Sequence, residues 1–130
     1  MAPPRGQVWE AMDSWDLTAT VASEGLAIDY AGALAVAGIA EVVGVTWCKG
    51  AIGDRKSLVK KGRTKLRIKD GVTLAVGDPL ILSSVAGQFD KLVGATGGRV
   101  FGVAREATTG AAGQVALCEF HSTSITVAAV

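Results

Sequence analysis

The sequence predicts an all-β fold, a small glycine-rich β-barrel. Composition favours it, because the 130 residues include 17 glycines but only 3 prolines and are 49% hydrophobic but only 5% aromatic. Such a chain joins short strands through glycine turns and builds its core from aliphatic side chains. Several segments also alternate apolar and polar residues with a period of two. We expect one barrel domain at residues 21–130, preceded by an extended N-terminal arm at residues 1–20.

The arm is predicted from its polar composition and its lack of a regular period. It carries two of the three tryptophans, Trp9 and Trp15. Exposed indole rings are enriched at protein interfaces, so a flexible arm with free rings would contact a partner. The alternative, in which both rings fold back onto the chain's own barrel, stays equally open.

Strands are expected from residue 17 onward. The segments 17–23 and 72–76 alternate apolar and polar residues, and the apolar segment 32–47 is read as bent strands, with one short helix left open. The clearest element is 65–69, where Leu66 and Ile68 alternate with basic residues before a turn at Asp70 and Gly71. The sequence therefore predicts one basic strand face that meets solvent or an acidic partner.

Charge is unevenly distributed, although the formal net charge is only +1. Residues 1–48 hold one base and six acids, residues 49–69 hold nine bases and one acid, and residues 70–130 hold three bases and five acids. No apolar run reaches the roughly 18 residues of a membrane-spanning helix, and the N-terminus lacks the pattern of a secretion signal. We expect a protein made in the cytoplasm with no membrane partner.

Residues for catalysis are sparse. The single histidine, His121, has no nucleophile motif beside it, and Cys118 with His121 supplies only two of the roughly four ligands of a closed zinc site. Asp78 and Asp90 lie beside turn residues, where carboxylates cap backbone amides. We expect no enzyme activity, no metal and no cofactor. A disulfide between Cys48 and Cys118 is left open by the sequence.

The basic segment 49–69 supports a second hypothesis, a nucleic-acid-binding β-barrel. Several phosphates could be neutralised by Lys60, Lys61, Arg63, Lys65 and Arg67. No aromatic residue lies between Lys49 and Lys69, so the stacking platform of single-strand binders is missing from the segment. A solvated or protein-facing basic surface is therefore favoured, and nucleic acid is the less favoured partner.

The C-terminal half resembles the head decoration, or capsid cement, proteins of tailed phages. The resemblance lies in a "GDPL" turn at residues 77–80, a short hairpin at 87–89, "FGVA" at 101–104, a small-residue segment at 107–112 and "GQVAL" at 113–117. It extends only loosely over residues 17–59, and it covers neither the acidic arm nor the basic segment.

This resemblance implies a β-barrel or β-tulip-like structural protein of the virion that binds the outside of an assembled capsid. It implies the major capsid protein as partner, homotrimers on the shell, and stabilisation of that shell. The interface residues that we expect are Trp9, Trp15, Lys60, Lys61, Arg63, Lys65 and Arg67.

Overall fold

A computed structural model describes residues 6–93 and 97–128, and these residues form an all-β structure. Their eight strands are β1 Val8–Asp16, β2 Ala27–Ile28, β3 Gly44–Val45, β4 Arg55–Arg67, β5 Pro79–Leu82, β6 Phe89–Lys91, β7 Gly98–Ala104 and β8 Val115–Val127. The strands form one curled sheet in the shape of a half-barrel, so the predicted all-β, barrel-like fold is confirmed. None of the described residues lies in a helix that could cross a membrane.

The sheet is organised around β4, a strand of 13 residues with neighbours on both edges. The strand order is β2-β3-β4-β8-β7-β5-β6. Outside this order, β1 pairs with β4 along the edge opposite to β8. All pairings between named strands are antiparallel. A single parallel bridge from Ile68 to Phe89 brings the β6 end back to the end of β4. The sheet therefore curls around an interior that its buried side chains fill.

The main core lies inside this curl. Phe89 sits between Phe101 and Phe120, with ring centroids 6.4 and 6.1 Å away and both pairs edge-to-face. Aliphatic residues such as Leu66 and Ile68, both fully buried, surround the rings. A second, smaller cluster contains Leu17, Val21, Leu26, Ile28, Val43 and Leu58. Since Leu58 and Val59 are consecutive but belong to different clusters, β4 contributes to both.

The N-terminal segment is extended as expected, but it is not a free arm. Val8–Asp16 forms β1, which pairs with β4 from Val8 opposite Arg63 to Asp16 opposite Arg55. The register shifts around Ala11, which marks a bulge in the pairing. The backbone hydrogen bonds of a nine-residue strand hold this segment in place, so the prediction of a flexible arm is wrong for β1. Residues 1–5 of the predicted arm lie outside the described residues.

Two expected strands are irregular. Within the described residues, the β-pairing of residues 17–23 is limited to an isolated bridge from Val21 to Gly50, and residues 72–76 form no strand. Leu74 is buried but Val76 is exposed, so 72–76 lacks the single apolar face that its alternation predicts. In contrast, Leu66 and Ile68 are buried in the predicted alternating pattern, and the turn at Gly71 has a positive φ of 86°. The short helix left open in 32–47 is absent from the described residues.

Candidate interface on the outer face of the sheet

The basic residues of β4 come together on the outer face of the sheet. Lys61, Arg63, Lys65 and Arg67 alternate with Gly62, Thr64 and Leu66, which are buried. Alternate residues of a strand point to the same face about 6.7 Å apart, so these four cations form one row. Lys60 lies where the pairing with β1 is irregular, and it is half-buried.

Side chains of the neighbouring strands extend this row into a surface. Directly opposite residues of an antiparallel pair share a face. On β8, His121, Glu119, Leu117 and Val115 therefore lie beside Lys61, Arg63, Lys65 and Arg67, in that order. Val103 of β7 is opposite Glu119, and Val8 of β1 is opposite Arg63. We call these ten residues, together with Arg105, the outer basic face.

Glu119 is the acidic residue within the outer basic face. One of its oxygens lies 3.0 Å from Nε of Arg63 and 3.6 Å from Nε of Arg105. The three side chains are partly exposed, at 33% for Glu119, 45% for Arg63 and 50% for Arg105. Water screens such pairs, and each contributes at most about 1 kcal/mol. Glu119 therefore orients two guanidinium groups without burying them.

Arg67 has a different environment from the other cations of the row. Its side chain is only 13% exposed, and it donates to Asp70 at 2.9 Å and to the Ile68 carbonyl oxygen. A further contact at 3.3 Å reaches the Gln114 carbonyl oxygen. Because these acceptors use its donors, Arg67 serves the turn after β4 rather than the surface. The expectation that Arg67 is an interface residue is not supported by this position.

The ammonium groups of Lys60, Lys61 and Lys65 make no ion pair and no hydrogen bond within the described residues. Lys61 and Lys65 belong to the outer basic face, which thus holds five cations and one carboxylate besides His121. Carboxylates of a partner can approach these two lysines without displacing an internal partner.

Apolar side chains border the cations. Val103, Val115 and Leu117 are half-buried in the outer basic face and belong to neither core cluster, while Val8 is 55% exposed. The outer basic face is therefore amphipathic. We call these four aliphatic side chains, which lie next to the basic row, the aliphatic strip.

The two tryptophans of β1 pack against the chain's own sheet. Trp9 packs on the main core and lies 5.6 Å from Trp47 between ring centroids. Trp15 packs on the second cluster and meets Tyr30 edge-to-face at 5.4 Å. Both rings are half-buried, so the expectation of free rings on an arm is wrong and the alternative interpretation describes the structure.

The acidic and basic blocks of the sequence meet inside one chain, at the end of the β1 and β4 pair. Asp16 lies 3.0 Å from Arg55, and both side chains are well exposed. The antiparallel register of β1 on β4 places these two side chains opposite each other within one chain.

Both cysteines are free thiols. Cys118 is fully buried, and burial raises the pKa of its thiol to about 12, with the hydrogen bond from Arg105 opposing this. Cys48 is half-buried, and Nζ of Lys56 lies 3.1 Å from its sulfur. His121 is half-buried, with Nδ1 2.7 Å from the Thr123 carbonyl oxygen. No group of three or more potential metal ligands occurs in the part of the chain that the structure describes.

The predicted role of Asp78 is confirmed, because Asp78 accepts a hydrogen bond from the Ala75 amide at 2.8 Å in the turn before β5. Asp90 lies within β6 rather than beside a turn. Its carboxylate accepts a hydrogen bond from the adjacent Lys91 amide at 2.7 Å.

Comparison with known proteins adds no identification. No protein-family model matches this chain, and no curated protein is similar enough in sequence to count as a match.

Sequence reasoning missed part of this surface. The alternation of Val115, Leu117, Glu119 and His121 in the printed sequence is a signal for one strand face, but nothing in it shows that this face lies beside β4. Arg105 lies past the end of β7, where no periodicity predicts its direction. The pairing of β8 with both β4 and β7 brings these residues together.

Proposed function

We propose that this protein is a structural virion protein that binds the outside of an assembled phage capsid and stabilises the shell. It acts without catalysis, as a homotrimer bound to the major capsid protein. Contact is made through the outer basic face, with Lys61, Arg63 and Lys65 as its central cations. The indole rings of Trp9 and Trp15 support the sheet instead of reaching the partner.

The observation that carries this proposal is the spatial assembly of the motif segments. The "GDPL" turn leads into β5, the 87–89 hairpin into β6, "FGVA" forms part of β7 and "GQVAL" leads into β8. These strands are consecutive neighbours in the order β8-β7-β5-β6. Segments that resemble decoration proteins thus form one continuous half of the sheet, whose outer side joins the basic row of β4.

Many copies on a lattice need only weak individual contacts, because binding at one site raises the effective concentration at the next. An exposed sheet face with a few cations and aliphatic side chains suits such a partner. Each copy can contribute little, while the full coat resists expansion of the shell.

Co-sedimentation tests the proposal. The purified protein is mixed with empty shells assembled from the coat protein of the same source, at low and at high salt. We expect saturable pelleting at a fixed ratio to coat subunits, weaker at high salt because the charges are screened. Light scattering then measures the mass of the protein after its release from the shells, which shows whether it is a trimer. No pelleting at either salt concentration would refute the proposal.

Deletion of residues 1–20 is not an adequate test of the contact, because it removes β1 and uncovers the edge of β4. Surface substitutions that keep β1 are required instead. Lys61→Gln with Lys65→Gln removes two unpaired cations, and Lys49→Gln with Lys91→Gln removes two exposed cations elsewhere. Only the first pair should reduce pelleting.

A nucleic-acid-binding barrel is the second candidate, and the observation that favours it is the unpaired state of Lys60, Lys61 and Lys65. Binding through phosphates would fall steeply with salt and would depend little on base sequence. A shift of labelled DNA or RNA by the protein, combined with no pelleting on shells, would favour this candidate.

A further inference from the structure

We infer that the outer basic face binds a carboxylate-rich protein surface, and that Glu119 occupies the position that a partner carboxylate takes between Arg63 and Arg105. The inference rests on the proposed function in taking the partner to be a protein surface. The inference goes beyond the proposed function because it specifies the chemistry of that partner and identifies Glu119 as an internal competitor.

Charge is the first argument. Besides His121, the outer basic face has five cations against Glu119. Lys61, Arg63 and Arg105 are exposed, Lys65 is half-buried, and the Arg67 side chain is only 13% exposed. Lys61 and Lys65 have no charged partner among the described residues. An approaching surface must therefore supply negative groups, because a second basic face would be repelled.

The aliphatic strip is the second argument, and it separates a protein from a nucleic acid. Val103, Val115, Leu117 and Val8 lie among or beside the cations. A phosphate backbone gains nothing by covering them, whereas a protein partner can bury them against its own apolar side chains. Single-stranded nucleic acid would need aromatic rings for stacking. The outer basic face has no Trp, Tyr or Phe, since Trp9 and Phe120 point to the inner side.

Glu119 is the third argument. One carboxylate oxygen serves two guanidinium groups, at 3.0 Å and 3.6 Å, and the longer contact leaves Arg105 incompletely paired. A partner carboxylate would pair with Arg105 or Arg63 in competition with Glu119. Removal of the Glu119 charge should therefore strengthen binding, which is the opposite of what loss of a contact residue does.

The experiment measures binding of three labelled probes of equal charge by fluorescence anisotropy. The first probe is a peptide that alternates glutamate with valine and glycine, the second has serine in place of valine, and the third is oligothymidylate. The wild-type protein should bind the valine peptide most tightly and oligothymidylate least tightly. Equal or tighter binding of oligothymidylate would overturn the inference.

Variants assign the binding to this face. Lys61→Gln with Lys65→Gln should weaken binding of the valine peptide about tenfold, since two charge contacts with the peptide are lost. The matched control, Lys49→Gln with Lys91→Gln, should leave it within about twofold of wild type. Glu119→Gln should tighten binding about threefold, and it tests the competitor without removing a cation. Equal losses in the two double variants, or weaker binding by Glu119→Gln, would contradict the inference.

A fourth variant tests the aliphatic strip. Val103→Thr keeps the shape of the side chain but replaces one methyl group with a hydroxyl group, so it should weaken binding of the valine peptide and leave binding of the serine peptide unchanged. Circular dichroism spectra and unfolding curves of every variant establish that the sheet is retained, since the substituted side chains are exposed or half-buried.

The probes separate this inference from the proposed function. Pelleting on shells without binding of either acidic peptide would refute the inference and leave the decoration role standing. Binding of the acidic peptides without pelleting would support the chemistry of the outer basic face and refute the decoration role.

Discussion

Arg63 and Arg67 lie four residues apart on the same face of β4, but their guanidinium groups serve different purposes. Arg63 is 45% exposed and shares Glu119 with Arg105, while Arg67 is 13% exposed and bonds to the turn that follows it. Asp70 links this turn to the loop before β8, because it accepts from Arg67 at 2.9 Å and from the Gly113 amide at 3.0 Å. The same residue type thus supplies a surface charge at one position and a structural clamp at the other.

Asp70 should make stability depend on pH in the acid range. The Gly113 amide, then Arg67, lowers the pKa of Asp70 below its ordinary value of 3.8. A carboxylate with a lowered folded pKa stabilises the protein fully above its unfolded pKa, and that stabilisation is lost as pH falls through the folded pKa. Asp70→Asn should therefore lower the urea midpoint at neutral pH, and the difference from wild type should shrink below pH 3.8.

The control for this prediction is Asp90→Asn, in which the carboxylate caps the adjacent Lys91 amide. Asp90→Asn should lower the urea midpoint at neutral pH less than Asp70→Asn does, because Asp70 links two separate segments whereas the Asp90 bond reaches the next residue. A difference between Asp70→Asn and wild type that stays constant from neutral to acid pH would contradict the assignment.

At the scale of single elements, β1 is the main departure from expectation. Its outer edge carries no strand among the described residues, which is a site where other chains could pair. Two features limit this: the bulge around Ala11 twists the edge, and the side chain of Asp13 accepts from the Ser14 amide at 2.9 Å. Glu10, Asp13 and Asp16 also make the edge acidic. A bulge and acidic side chains of this kind hinder an edge strand from pairing with the strands of other chains.

Gly62 determines how closely β1 approaches β4. Its φ is +133°, and an added Cβ would clash with the Val8 carbonyl oxygen and lie 2.8 Å from the Glu10 amide nitrogen. Gly62→Ala should therefore lower the free energy of unfolding by about 3 kcal/mol and change the emission of Trp9, because β1 must shift.

The matched control is Gly53→Ala. Gly53 also has a positive φ, +89°, but no heavy atom lies within 4 Å of the added Cβ. Gly53→Ala therefore introduces backbone strain alone, which costs about 1 kcal/mol of the free energy of unfolding. It should leave the tryptophan emission unchanged. Equal destabilisation by the two variants would show that β1 does not press on Gly62.

For the whole molecule, closure of the curl depends on Phe89. Its ring touches Phe101 of β7 and Phe120 of β8, and its backbone bridges to Ile68 beyond β4. One residue of the three-residue strand β6, at one end of the strand order, thus contacts β7, β8 and the residue that follows β4. Loss of its side chain should affect the cooperative unit rather than one strand.

Phe89→Ala should therefore lower the free energy of unfolding by about 4 kcal/mol, a large share of the roughly 5–15 kcal/mol of a typical domain. Chemical denaturation followed by circular dichroism gives this value. Ile52→Ala, at a side chain that is 67% exposed, should change it by less than about 0.5 kcal/mol. A loss below about 1 kcal/mol for Phe89→Ala would indicate that the ring cluster is dispensable.

The sequence by itself determined the fold class, the alternation of Leu66 and Ile68 with basic residues, and the turns at Gly71 and Asp78. These depend on local preferences: glycine turns, period-two patterns and carboxylates that cap nearby amides. Such preferences act over a few residues, so a single chain reveals them directly.

Only the tertiary structure decided where the N-terminal segment lies and which residues share the outer basic face. Trp9 packs on Trp47, and Glu119 lies between Arg63 and Arg105, because strands distant in sequence pair in one particular register. That register is selected by burial of the whole core, a sum over many distant contacts. No short segment of the sequence contains that information.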